Sequence, residues 1–402
     1  MQIIFSLAGI LALLACAYAL SDSRRDINWR TIIGAFSLQA GFAALVLYFP
    51  LGQSLLVTVS DGVSGLLAFA DAGISFLFGD LASGNFIFAI RVLPLIIFLS
   101  SIISLLYYLG IMQKLVKVIG GAIARLLGTS QVESLAATSN IFLSMSEASL
   151  IVRPFLPKMT RSELFAVIVG GMASVAGSVL GGYAALGIEL KYLIAASFMA
   201  APGGLLMAKI LVPEREKLSQ DDPIELEAST DANIIDALAS GAMNGVKVAV
   251  AVGAMLLAFV SVIAMVNAGF ENVGNWVGID NLSLQLIFGY LFAPLAFFAG
   301  IPTNELLTAG ALIGQKTVLN EFVAFLDFIS VKETLSAHSQ VIITFALCGF
   351  ANIGSIAIQL GSIGVMAPER RQDVAQLGFR AVTAATLANM MSAALAGLFI
   401  AL

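Results

Sequence analysis

The sequence predicts an all-α polytopic membrane protein, and three observations carry that reading. Of its 402 residues, 59% are hydrophobic and only 11% charged, a composition outside the range of ordinary soluble domains. The apolar residues come in windows of about 20, the length a helix needs to cross a bilayer. Two places break the pattern in the same way. Asn140 to Glu147 (NIFLSMSE) and Gly314 to Phe325 (GQKTVLNEFVAF) each set an Asn and a lone Glu among apolar residues. A carboxylate at bilayer depth costs on the order of 3 kcal/mol even on lenient scales, so one kept there faces a cavity or a partner.

Taken in order, eight windows are long and apolar enough to span: Ile3 to Leu20, Thr31 to Leu51, Phe86 to Leu109, Leu164 to Leu186, Tyr192 to Val212, Val246 to Val266, Val341 to Met366 and Phe379 to Ala401. The first lacks a basic flank before it, and Leu13-Leu14-Ala15-Cys16 matches a lipoprotein cleavage box only loosely, so it reads as a retained helix. Gln53 to Asp80 carries Asp61, Asp71 and Asp80, which leaves runs too short to span and suits helices lying in the interface. Around Glu147 and Glu321 the chain enters apolar sequence, breaks at polar residues and leaves again through Pro154 and Pro157, or through Asp327 and Lys332. These read as two re-entrant hairpins, whose irregular backbone is tolerated only inside protein or against water.

The halves repeat. Each has a hairpin tip with Asn and Glu, then a long apolar helix interrupted by small polar residues: Ser174, Gly177 and Ser178 in the first, Asn352, Gly354 and Ser355 in the second. Paired interrupted segments in corresponding positions point to an inverted repeat and to the midplane site of a secondary transporter. The expected division is residues 1–128 as scaffold and oligomerisation region, 129–212 as a first transport repeat, 213–285 as linker and scaffold helix, and 286–402 as a second repeat. Basic residues cluster at Arg24, Arg25 and Arg30, at Lys114, Lys117 and Arg125, at Arg215 and Lys217, and at Arg370 and Arg371. Threading eight helices and two hairpins puts all four clusters on the cytoplasmic face and both termini on the other. Glu214 to Asp236, with Pro223, then becomes a cytoplasmic linker, and Asn233 to Asn244 starts a short amphipathic helix.

Other functions fare poorly. The net charge of −5 sits mainly in that linker, and with no basic patch nucleic acid is excluded as a partner. One histidine and two scattered cysteines do not make the usual metal clusters or a His-based nucleophile dyad. Cys16 and Cys348 lie in apolar runs and read as small core hydrophobes. Gly310 to Thr317 (GALIGQKT) brushes a phosphate-loop pattern, but Gln315 separates glycine from lysine and no strand precedes it. Bland roles compete at single positions. Ser174, Ser178 and Ser355 each suit helix packing, Lys316 suits snorkelling as well as a site, His338 suits an interfacial position, and Glu305 suits a helix start with Thr303 or Asn304 near the cap.

From about Gln53 onward the chain resembles the concentrative nucleoside transporters. Gly314-x-Lys316-x-x-x-Asn320-Glu321-Phe322-Val323-Ala324 is similar to the family signature, and Gly349-Phe350-Ala351-Asn352-Ile353-Gly354-Ser355-Ile356-Ala357 to its second motif. The resemblance implies eight membrane helices, interfacial helices, two re-entrant hairpins and a homotrimer in a bacterial-type inner membrane. It implies that Glu321, Asn352 and Ser355 bond the ribose hydroxyls with Phe350 close by, and that Met145, Ser146, Glu147 and Val179 meet the base. It also implies a sodium ion held by Asn140, Ser174 and carbonyls near Leu143 and Val175, with no organic cofactor. The chemistry suits those ligands: a carboxylate accepts from vicinal hydroxyls, Asn both donates and accepts, and hard oxygens hold an alkali cation. One departure stands out. The family commonly has Gly-Gln-Thr-Glu at the first tip, whereas this chain has Ser144-Met145-Ser146-Glu147, losing an amide that reads a base edge. The sequence leaves open the preferred base and the choice between sodium and protons, for which Glu147 is a titrating candidate. A channel or a membrane-embedded enzyme are the rival classes.

Overall fold

The computed structural model describes residues 2–216, 229–279 and 281–402; the middle of the expected linker, with Lys217 and Pro223, lies outside them. Nineteen α-helices and no strand occur among the described residues. In the first part these are α1 (Gln2–Ala19), α2 (Trp29–Leu47), α3 (Pro50–Ala68), α4 (Ala70–Phe78), α5 (Phe88–Arg91), α6 (Leu93–Tyr108) and α7 (Ile111–Leu127). The first repeat follows with α8 (Gln131–Ser139), α9 (Met145–Ile151), α10 (Arg161–Ala173), α11 (Gly177–Ala185) and α12 (Leu190–Leu211). A long α13 (Ile234–Val277) and α14 (Leu284–Phe298) connect it to α15 (Leu306–Val318), α16 (Glu321–Val331), α17 (Ala337–Leu347), α18 (Gly354–Met366) and α19 (Arg371–Ala401).

Seven helical stretches among the described residues are long and apolar enough to cross a membrane. The differences from the eight expected windows have physical causes. The Val341 to Met366 window is divided into α17 and α18 by residues 348–353, so neither half reaches spanning length. Leu164 to Leu186 is also interrupted, at Ser174 to Ala176, but the stretch Arg161–Ala185 still counts among the seven. Pro50–Ala82, which contains the Gln53 to Asp80 stretch expected to lie in the interface, is long and apolar enough to count among the seven. Asn233 caps no short separate helix: with its side chain on Asp236 N it starts α13, which runs 44 residues without a break. At 1.5 Å per residue that is ~66 Å, about twice the hydrocarbon thickness of a bilayer. The α14 helix, which carries Pro294, was not among the expected spans.

Capping residues set the short helices. Ser130, Ser144 and Thr160 each open a capping box with Glu133, Glu147 and Glu163, satisfying free helix-start N–H groups from both sides. Asn320 caps α16 from one side only, its Oδ1 accepting from Val323 N at 2.9 Å. Each repeat therefore consists of a pair of short helices, a helix broken in its middle, and a continuous helix. The broken α10–α11 and the continuous α12 and α19 form the centre: their windows are 89%, 94% and 83% buried, against 17% for α13. The outer helix thus presents its apolar surface to lipid or to another chain. Cys348 is buried as expected, but Cys16 is exposed on the outside of α1.

Polar contacts gather the basic clusters at one end of the molecule. Arg215 pairs with Asp26 at 3.1 Å, and Arg380 with Asp22 at 2.6 Å. Thr31 donates to Leu127 O at 2.9 Å, Thr160 to Glu214 at 2.8 Å, and Arg370 to Met159 O at 2.7 Å. The C-terminal residues Phe399 to Leu402 lie at the other end, where with Tyr48 and Lys191 they line a cavity of about 520 Å³.

Candidate functional site

The two broken helices meet at their breaks. Phe350 N, between α17 and α18, donates to Ser174 O, between α10 and α11, at 3.0 Å. The tip of the first short-helix pair joins the same place, because Gly177 N donates to Phe142 O at 3.0 Å, and Ile353 N reaches Thr317 O at 3.1 Å from the second pair. All three links use backbone that a continuous helix would have consumed internally, which is why the breaks fall there.

Asn389 of α19 fastens the centre. Its amide donates to Ala173 O at 2.6 Å and its oxygen accepts from Lys316 Nζ at 2.7 Å. Lys316 is therefore fully buried and bonded within the protein rather than snorkelling. A side chain at Gly349 would overlap Asn389, at 2.3 Å from its Oδ1, so only glycine lets the second break approach this closely.

On this frame sits a carboxylate held from both repeats. Glu321, 5% exposed, accepts from the Tyr183 hydroxyl at 3.1 Å and from Asn352 Nδ2 at 3.2 Å. Asn352 Oδ1 in turn accepts from Ser355 N at 2.9 Å and Ser355 Oγ at 3.1 Å. Glu321, Asn352 and Ser355 are thus one hydrogen-bonded chain, with Phe350 half-buried beside it. The Tyr183 ring packs at a tilt between Phe322 and Phe325, with both centroids 4.7 Å away, which fixes the hydroxyl.

The first tip divides. Glu147 is exposed; its carboxylate accepts from Ser144 N at 2.9 Å and Ser144 Oγ at 2.8 Å, and together with Leu143 it lines a cavity of about 460 Å³ against α6 and α13. Ser146 is half-buried, whereas Met145 and Val179 are buried. Met145 packs at Gly171, where an added Cβ would come within 2.8 Å of the Met145 Cβ and 2.6 Å of Gln359 Nε2. The structure therefore brings Glu321, Asn352 and Ser355 into direct contact with one another, and Met145 and Glu147 onto different sides of the tip.

Asn140 and Ser174 are 1% and 2% exposed, and Asn140 Oδ1 and Ser174 Oγ have no hydrogen-bond partner among the described residues. The Asn140 amide donates to Ala136 O at 2.8 Å, which leaves its oxygen free, and it lies 3.4 Å from the Cβ position of Gly170, one turn before Ser174. The Leu143 and Val175 carbonyls fall in the two non-helical segments. Orphaned buried oxygens carry a desolvation penalty of about 1–3 kcal/mol each unless something fills them. A donor set of oxygens alone suits a hard cation rather than a soft one. No group of three or more His, Cys, Asp or Glu positioned for a metal occurs among the described residues.

Sequence reasoning missed Tyr183, Asn389, Gln359 and a buried pair in which Lys209 Nζ lies 2.6 Å from Glu133. Lone polar residues in apolar helices were the available signal for all of them. Of the residues given bland readings, His338 does lie at the start of α17. Glu305 caps nothing by its side chain; its carboxylate ties α15 to α17 by accepting from Ser336 N and Oγ, both at 3.0 Å.

A helical membrane protein in which two interrupted helices meet beside a buried carboxylate and a pocket of free oxygens has the build of a secondary transporter. Comparison with known proteins gives the family. The model for the C-terminus of Na+ dependent nucleoside transporters matches residues 192–397, the model for their N-terminus matches 8–81, and a nucleoside-recognition gate model matches 89–189. The chain is similar to the nucleoside permease NupC of Helicobacter pylori, at 46% identity over 99% of this chain and 98% of that one. It is also similar to sodium/nucleoside cotransporter 1 of Mus musculus, at 36% identity over 98% of this chain and 63% of the relative. The structure of CNTnw in an inward-facing substrate-bound state superposes with a TM-score of 0.95 at 51% identity, covering 99% of this chain and 98% of that one. The chain belongs to the concentrative nucleoside transporter family, whose members here are transporters and permeases, not enzymes.

Proposed function

We propose that this protein imports nucleosides by symport with sodium, alternating access around a site between its two repeats. The observation that carries the reading is the Glu321–Asn352–Ser355 chain at the junction of the breaks. Its carboxylate is satisfied by two protein donors, and a ribose that brings two vicinal hydroxyls replaces them bond for bond. Phe350 packs against the sugar. The base lies toward Met145, Ser146, Glu147 and Val179, and the ion is held by Asn140, Ser174 and the carbonyls of Leu143 and Val175. The family match to sodium-dependent transporters and the two orphaned oxygens support sodium.

In this reading the protein sits in a bacterial inner membrane as a homotrimer, its basic clusters cytoplasmic and both termini on the opposite face. The largely exposed α13 and residues 1–128 serve as scaffold, while 129–212 and 286–402 carry the substrate. Reconstituted protein loaded with labelled uridine or adenosine tests the function. Accumulation above the outside concentration under a sodium gradient at fixed pH is expected. Undiminished accumulation without sodium assigns the coupling to protons, and equilibration without accumulation means a channel.

A further inference from the structure

The cavity beside Glu147 has a far wall that the site described above does not use. Ser100, Ser104 and Tyr107 of α6 and Ser240 and Asn244 of α13 line it. On α6 the spacing is i, i+4, i+7, and on α13 it is i, i+4, so each set forms one stripe along its helix. None of these five side chains makes a hydrogen bond to protein among the described residues. Ser101, next to Ser100, does: its Oγ donates to Leu238 O at 2.8 Å, and farther along α13 Ser261 Oγ donates to Leu257 O at 2.7 Å. Hydroxyls in apolar helices ordinarily close onto a nearby carbonyl in this way. The ones facing the cavity stay open to it, half-buried or, for Asn244, exposed, where water or a ligand can pair with them.

The wall is rigid. A Cβ at Gly241 would fall 2.5 Å from the Ser104 Cβ, and one at Gly245 would fall 2.6 Å from the Ile97 Cα, so the two helices pack backbone to backbone. Opposite them stand Glu147 and Ser178, and Asp231 closes one side, its carboxylate bonded to Ser229 Oγ at 2.6 Å. Among the described residues no Lys or Arg lines the cavity. Its volume of about 460 Å³ falls within the range of small-molecule sites, roughly 300–1,000 Å³.

We propose that this cavity is a second, transient nucleoside subsite borne by α6 and α13, onto which the ligand passes between the Glu321 site and the end of the protein that carries the basic clusters. Five uncharged donor-acceptor groups suit the mixed hydrogen-bonding edges of a base and a sugar. Two carboxylates without a facing cation repel a phosphate, so the subsite accepts nucleosides and rejects nucleotides. The inference rests on the nucleoside reading given above.

A cysteine placed at Ser104 in a Cys16→Ser background reports occupancy directly, through its rate of maleimide modification in the purified full chain. Adenosine is expected to slow that rate severalfold and adenosine monophosphate to leave it unchanged. The slowing should persist when Glu321→Gln is added, because the subsite is separate from the sugar site. Equal slowing by the nucleotide, or loss of protection with Glu321→Gln, overturns the proposal. In transport, Ser104→Ala combined with Asn244→Leu should lower the maximal rate about tenfold, as two lost hydrogen bonds imply, with equilibrium nucleoside affinity within about twofold. Ser261→Ala is the control with an unchanged rate, and a double variant that transports like wild type also overturns the subsite. If wild-type protein binds no nucleoside at all, the failure lies with the functional reading instead.

Discussion

The hydroxyl of Tyr183 donates to Oε1 of Glu321 across 3.1 Å, joining α11 of the first repeat to α16 of the second. The carboxylate is thereby oriented before any ligand arrives, and its other oxygen is shared with Asn352. Glu321→Gln exchanges an acceptor for a donor facing sugar hydroxyls and should weaken nucleoside binding at least about tenfold, since charge-assisted bonds contribute about 1.5–3 kcal/mol each. Tyr183→Phe removes only the orienting bond, worth about 1 kcal/mol, and should cost roughly fivefold. Calorimetric titration of the purified variants checks both, and near-normal affinity in Glu321→Gln removes it from the sugar site.

Asn140→Leu and Ser174→Ala each delete an orphaned buried oxygen. In sodium-free buffer they should melt no lower than wild type, because a desolvated group with no partner is lost along with its penalty. Wild type should gain melting temperature on adding sodium, and the variants should gain little. Their half-saturating sodium for uptake should rise by at least about tenfold. Unaltered sodium dependence places the ion elsewhere.

Met145→Gln restores the amide that the first tip lacks. It should change the rank order of nucleosides in a competition panel while leaving dependence on ribose hydroxyls and sodium as before, because Met145 and Glu321 belong to different short-helix pairs. Met145 is buried against Gly171. An unchanged order means that it stays there, and base selection then belongs to Ser146, Glu147 or Val179.

Lys209→Met leaves Glu133 buried with its charge unpaired and should destabilise the protein by about 3–5 kcal/mol. Adding Glu133→Gln should recover most of that loss, since a neutral pair carries no uncompensated charge. Melting curves in detergent measure the two, and a double variant no more stable than the single one means that the pair acts through packing.

Composition and hydropathy made the helical membrane class legible, and the two Asn–Glu tips with their polar interruptions marked where the chain breaks. Asn320 and Glu321 were visible because a capping amide and a carboxylate have no place in a plain spanning helix. Tyr183 and Asn389 were not, because each is one polar side chain that packs well among apolar neighbours, and its importance comes from partners 138 and 73 residues away. Helix continuity was equally hidden. Nothing local distinguishes a short amphipathic helix at Asn233 from the first turns of α13, and only packing of Gly241 and Gly245 against α6 decides it. Glu147 was marked by its charge, but its capping role at Ser144 also accounts for a carboxylate at that spacing.

Ser174 has a hydroxyl without a partner and a carbonyl that accepts from Phe350 N at 3.0 Å. An ion bound at that hydroxyl therefore orders the same residue that anchors the strand of backbone leading to Asn352. Thermodynamic linkage then works in both directions: whatever factor the cation adds to nucleoside affinity, the nucleoside must return to the cation. If sodium binds there as proposed, the carrier fills as a pair, and either cargo alone leaves the junction between the repeats half-set.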